Sequence, residues 1–210
     1  MDELIDARDP SGEPTGEVVW KSEAHRRGLW HRCFHCWIFG VDAGSGEPYL
    51  LVQRRAATKD TWPGYLDVTA AGHLAAGEGP LDGLREVEEE LGLRVDPGRL
   101  APLGTRRVEQ GIPGGLDREF HDVFLLHDDT PPGDLRLQRE EVASVLRIGL
   151  DDAEALGVAG SAPAREYRDG EVSEIRVRVS DFVPSTDDYL SRVALAVSAA
   201  LDGGRAEGVF

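Results

Sequence analysis

The chain has 210 residues, 39 acidic against 23 basic, for a formal net charge of −16. So acidic a surface repels phosphate backbones, so no nucleic-acid polymer is expected as a partner; no apolar run approaches a membrane span either. Two cysteines, Cys33 and Cys36, are too few for a disulfide framework, and the acidic opening MDELIDARD is the opposite of a secretory leader, so a cytoplasmic protein with no membrane partner is expected.

In chain order, residues 3–21 read as two short strands around the turn Asp9-Pro10-Ser11-Gly12, and His25-Arg26-Arg27-Gly28 reads as a polar loop. Arg32 to Val41 is a strand whose near-continuous apolar run predicts burial on both faces and a central place in a sheet. Asp42 to Gly46 turns the chain into a strand at Tyr49 to Val52, which runs on into Gln53-Arg54-Arg55. A loop from Ala57 to Gly64 and a short strand from Leu66 to Ala71 lead to a glycine-rich stretch and an acidic helix. Further strands are predicted around residues 103–108, 119–126 and 142–148, then a short helix at 151–156 and a hairpin over 165–179 turning at Asp169-Gly170. Thr186 or Asp187 is placed to cap a final helix over about 186–201, and the tail 202–210 reads as frayed. Nothing resembles a repeat or a linker, so one domain over residues 1–210 is expected. A mixed sheet interrupted by one helix and closed by another fits an α/β/α sandwich.

The organising stretch runs from Gly72 to Leu93, GHLAAGEGPLDGLREVEEELGL. Gly79-Pro80 fits a helix start, Leu81, Leu84, Val87 and Leu91 recur at helical spacing, and Gly92 suits the left-handed residue past the helix end. Glu86, Glu89 and Glu90 stand at i, i+3 and i+4, so their carboxylates crowd one face, while Glu88 points away. Like charges at that spacing repel, and a bound divalent cation with oxygen ligands reverses the sign of the interaction. A solvated acidic face is the alternative reading.

Three cations, Arg54, Arg55 and Lys59, precede this stretch, and forked guanidinium donors suit phosphate. His25, His31, His35 and His73 lie near Cys33 and Cys36, yet cysteines three apart in a strand point to opposite faces. Two small buried cysteines therefore fit better than a structural zinc site. His31, Cys33 and His35 share a face. Asp117, Glu119 and His121 alternate along a strand and line one face, where a carboxylate could complete a metal shell or act as a base.

The segment from Gly72 to Leu93 resembles the Nudix box, G-x5-E-x7-R-E-U-x-E-E-x-G-U with U aliphatic. Gly72 and Glu78 match its opening and Arg85 to Leu93 its second half in full, with one residue fewer between Glu78 and Arg85. The flanks are similar to type I isopentenyl-diphosphate isomerase in particular. The shared features are Lys21 with His25 four later, the strand after His31, QRRAATKDTWPG, Ala71-Gly72-His73, and the acidic strand ending in Glu119. The resemblance implies a Nudix-type α/β/α sandwich and a Mg²⁺- or Mn²⁺-dependent hydrolase of diphosphates. Glu86, Glu89, Glu90 and Glu119 are then catalytic and metal-binding, with His31 and His73 further ligands. The residues matching Lys21, Arg55 and Lys59 hold the diphosphate in the isomerases, and Arg54 and Arg85 are expected at the substrate beside them. In the isomerases the residues matching His25 and Asp117 also bind metal.

Two differences argue against an isomerase: Ala71 stands where the isomerases have a catalytic cysteine, and all three metal-facing glutamates are kept. The expected activity is hydrolysis of a diphosphate linkage in a small phosphorylated substrate, either a nucleoside diphosphate derivative or an isoprenyl diphosphate. The alternatives are isopentenyl-diphosphate isomerisation and a non-catalytic metabolite-binding module. The sequence leaves a homodimer open.

Overall fold

The computed structural model describes residues 2–204 and 208–210. Strands β1 (Leu4–Arg8) and β2 (Pro14–Trp20) form a hairpin, followed by helix α1 (Lys21–Arg27) and the long strand β3 (Trp30–Val41). Then come β4 (Pro48–Arg55), the short β5 (Leu66–Asp67) and β6 (Ala70–His73), and helix α2 (Arg85–Leu91). A hairpin of β7 (Ala101–Ile112) and β8 (Gly115–His127) precedes β9 (Val142–Gly149) and helix α3 (Leu150–Ala159). The chain closes with the hairpin β10 (Ser161–Arg168) and β11 (Glu171–Arg178) and with helix α4 (Tyr189–Leu201). All these strands join one mixed sheet.

The continuous apolar run of β3 makes it the central strand, as the sequence predicts. Along one edge it pairs antiparallel with β6 and then with β4; along the other it runs parallel to β8, with His31 opposite Glu119 and Cys33 opposite His121. Successive side chains face opposite ways. Phe34, Cys36 and Ile38 pack under Val87 and Leu91 of α2, while Trp37 and Phe39 join Val193, Ala194 and Val197 of α4 and Leu156 of α3. The result is the α/β/α sandwich.

Four local expectations are corrected. His25-Arg26-Arg27 ends helix α1 rather than forming a loop; only Ala24 of this helix is buried, against Ile5 and Val19, so it carries no apolar stripe to read. Helix α2 starts at Arg85, after a 3₁₀ turn at Asp82–Leu84, and not at Pro80, which leaves Leu81 half exposed and off the apolar stripe. Gly83 permits this, because a Cβ there would overlap the ring of Phe34. Helix α4 starts at Tyr189 rather than 186, since the Asp187 carboxylate binds Arg106 instead of capping, and Asp188 is left-handed (φ 50°). Of the tail, residues 205–207 lie outside the described residues, but 209–210 are packed and not frayed. Val209 and Phe210 donate to the Leu103 carbonyl, and the Phe210 ring meets Tyr189 edge-on at 5.2 Å.

Candidate active site

Two groups of side chains meet at β6. The first comes from α2. Val87 and Leu91 anchor the helix in the core, which turns Glu86 and Glu90 toward the edge of β6. Glu90 is only 2% exposed, and its Oε2 accepts hydrogen bonds from the Ala71 N–H (3.1 Å) and Gln53 Nε2 (3.2 Å). Glu86 lies across Gly72, where a Cβ would fall inside its carboxylate, so the site requires glycine. Burial pushes the Glu90 carboxyl up to about 8, with Glu86 adding to the shift, and pushes Glu86 up to about 7, with Glu89 adding. Glu89 is more exposed, 3.5 Å from Arg85, and Glu88 faces outward to Arg94.

Glu78 and Arg85 close the loop between β6 and α2. Glu78 Oε2 accepts from the Ala75 N–H (2.7 Å), and Arg85 grips Glu78 Oε1 (3.0 Å), the His73 carbonyl (3.0 Å) and Glu86. Arg85 is thus an internal clamp.

The second group lies on the other face. His25 from α1, His31 from the start of β3, His73 from the end of β6 and Glu119 from β8 place one donor atom each within 4.8 Å of one another. The Leu29 carbonyl can only accept, so His31 Nδ1 donates to it (3.0 Å), which turns Nε2 toward the cluster. Glu3 faces His73 Nδ1 at 3.6 Å, and Asp117 lies 3.4 Å from His25 and 3.6 Å from His31. Burial pushes His25 down to about 4 and His73 below its ordinary value, with the neighbouring imidazoles adding in both cases. Burial opposes ionisation of Glu119, but the hydrogen-bonded His121 holds it well below the usual carboxylate range. Burial and the Glu119 charge push Asp117 up to about 7.

The Nε2 atoms of His25, His31 and His73 and Oδ1 of Asp117 are buried without a hydrogen-bond partner, and all four face this one point. Buried polar atoms without partners are costly, and imidazole nitrogens with carboxylate oxygens are a donor set for a divalent cation. The residues therefore fit a metal ion. Neighbouring residues serve the two groups separately: Gly72 makes room for Glu86, and His73 joins the histidines.

The cations expected at a substrate are all engaged with acids. Lys21 pairs with Glu3 (3.3 Å), Arg55 with Asp67 (2.8 Å), Lys59 with Glu141, and Arg54 with Glu166 (2.8 Å). Gln53 reaches Glu90, so by strand alternation Arg54 projects from the opposite face, away from the α2 carboxylates. Lys59 is close enough to Glu90 to counter the rise of its pKa. Sequence reasoning left Gln53, Glu3, Arg106 and Asp187 out of the site. Strand alternation pointed to Asp117, and only the resemblance pointed to His25 as a ligand.

The NUDIX domain family model matches residues 30–184. A Nudix hydrolase of Clostridium acetobutylicum with no assigned activity is 32% identical over 204 residues, covering 93% of this chain and 97% of its own. An isopentenyl-diphosphate Delta-isomerase of Rhizobium rhizogenes is 39% identical over 131 residues, covering 61% of this chain and 59% of its own. In fold, the crystal structure of a MutT/nudix family protein from Enterococcus faecalis matches with a TM-score of 0.55 at 15% identity, over 82% of this chain and 62% of that one. The chain therefore belongs to the Nudix hydrolases, on a branch that resembles type I isopentenyl-diphosphate isomerase.

Proposed function

We propose that the protein hydrolyses a diphosphate linkage in a small substrate, with a divalent cation, Mg²⁺ or Mn²⁺, at the α2 carboxylates. The observation that carries this reading is Glu90: a glutamate 2% exposed, on the same helix face as Glu86 and Glu89, with its pKa raised to about 8 by burial. A buried carboxylate next to a second one is unfavourable in a folding helix and becomes favourable once a cation neutralises both.

Glu86, Glu89 and Glu90 would hold that cation, and His25, His31, His73 and Glu119 would hold a second. Bound there, a divalent ion supplies the positive charge that draws a diphosphate and stabilises charge developing at phosphorus. The chain's own contribution is orientation. Gln53 and the Ala71 N–H fix Glu90, Gly72 admits Glu86, and the Arg85–Glu78 pair holds the loop. Lys59 and Arg55, now paired with Glu141 and Asp67, are the cations placed to exchange those partners for phosphate oxygens.

The isomerase reading is supported by the histidine cluster and opposed by Ala71, which can neither donate nor accept a proton. Products released from a panel of nucleoside diphosphate derivatives and isoprenyl diphosphates, with Mg²⁺ or Mn²⁺, test the proposal. Cleavage of at least one substrate by the wild type, lost in Glu89→Gln, is expected; no cleavage of any would refute it.

A further inference from the structure

Behind Glu119 lies a buried polar chain that the hydrolase reading does not use. His121, two residues on in β8, places Nε2 2.6 Å from Glu119 Oε2, and its Nδ1 lies 3.2 Å from Arg106 NH1. Arg106 comes from β7 and is itself held from three directions. Asp187 receives both prongs of the guanidinium at 2.7 Å, Ser185 Oγ accepts at 3.0 Å, and the Tyr189 ring lies 4.1 Å beneath it. The His121 ring stacks on His35 at 3.8 Å, whose Nδ1 meets the Tyr189 hydroxyl. Both histidines and Arg106 are buried.

The chemistry of the donors fixes the direction of the hydrogen bonds that lead from Arg106 to Glu119. A guanidinium can only donate, so His121 Nδ1 must accept; its proton is on Nε2, which must donate to Glu119 Oε2. Of the two Glu119 oxygens, Oε2 is therefore occupied. Oε1 accepts from the Cys33 thiol (3.0 Å) and lies 3.4 Å from His73 Nε2 and 3.6 Å from His31 Nε2, within the histidine cluster.

We propose that Arg106 is a positioning residue: gripped by Asp187 and Ser185, it locks His121 as the Nε2–H tautomer, so that His121 pins Glu119 Oε2 and presents Oε1 to the histidine cluster. Glu119 is on this account an anchored anionic ligand and not a mobile base. Asp187, 81 residues from Arg106 in sequence, is then coupled to Glu119 through three hydrogen bonds, Asp187 to Arg106, Arg106 to His121 and His121 to Glu119. The ligand role of Glu119 rests on the metal-site reading above; the tautomer lock does not.

The tautomer is read on metal-free protein by ¹⁵N NMR of the histidine side chains near neutral pH. The expected result is an unprotonated Nδ1 and a protonated Nε2 for His121. A His121 signal from the Nδ1–H form or from imidazolium would overturn the proposal. The consequence for the cluster is read by titrating Mn²⁺. Arg106→Leu should weaken binding by about 10–100-fold, the usual cost of losing an outer-shell partner. His121→Gln, whose amide can accept from Arg106 and donate to Glu119, should stay within a few-fold of the wild type. Should Arg106→Leu fail to fold, Asp187→Asn, which keeps the shape and loses the charge, should weaken Mn²⁺ binding several-fold. A folded Arg106→Leu that binds Mn²⁺ as the wild type does would overturn the proposal. Mn²⁺ binding undiminished in His31→Ala would instead refute the metal-site reading, and the NMR result would still decide the tautomer.

Discussion

Replacing Glu90 by Gln separates the fold's need for this position from its chemistry. In the unfolded chain Glu90 ionises near 4.5; in the metal-free fold burial moves this to about 8, with Glu86 and Glu141 adding and Lys59 opposing. Between those values the unfolded state binds fewer protons than the folded one, so the site destabilises the metal-free fold progressively as pH rises from 4.5 toward 8. At about 1.4 kcal/mol per unit the full shift is worth roughly 5 kcal/mol, and relaxation of the buried site reduces this to roughly 2–4 kcal/mol. Gln has no charge to bury, and its amide oxygen can still accept from the Ala71 N–H. In EDTA, Glu90→Gln should therefore match the wild type near pH 5 and melt about 5–15 °C higher near pH 8.5, at about 2–4 °C per kcal/mol for a chain this long. Mg²⁺ should raise the melting temperature of the wild type more than that of the variant. The assay is thermal unfolding followed by circular dichroism across that pH range. A variant less stable at every pH, or a difference that does not grow with pH, would refute the reasoning.

Glu89→Gln, at an exposed position, should leave the melting temperature within a few degrees and lower kcat by roughly 10²-fold or more, as loss of a transition-state electrostatic element does. Gly72→Ala should displace the Glu86 carboxylate, cutting kcat by a comparable factor while unfolding shifts by about 1–3 kcal/mol, measured by denaturant titration. Burial raises the pKa of both thiols, so replacing Cys33 and Cys36 together by Ala should cost packing stability and leave kcat within a few-fold; stoichiometric zinc lost with the cysteines would contradict this.

The parts of the fold that announce themselves in the sequence are those whose pattern is local. The near-continuous apolar run from Arg32 to Val41 marks a central strand, and Val87, Leu91 and Gly92 fix the face and end of α2. Helix α1 was not legible because a seven-residue helix burying a single alanine has no periodicity, and with it went the placement of His25. The start of α2 depended on Gly83 meeting Phe34, a contact across 49 positions. The engagement of Arg54, Arg55 and Lys59 with acids was equally hidden, since Glu166, Asp67 and Glu141 come from other strands or loops. Arg106 looked like an ordinary strand arginine because His121 and Asp187 reach it only through the β7–β8 pairing and the turn into α4.

The most direct test of hydrolysis against isomerisation is ¹H and ³¹P NMR of the protein with isopentenyl diphosphate and Mg²⁺. Isomerisation needs proton carriers on both sides of the hydrocarbon. Here Ala71, in the place of the isomerase cysteine, offers none. Hydrolysis asks only for the carboxylate helix, a cation and water. No double-bond migration is expected, with any turnover appearing as cleavage at phosphorus. Dimethylallyl diphosphate formed at catalytic rates would contradict it.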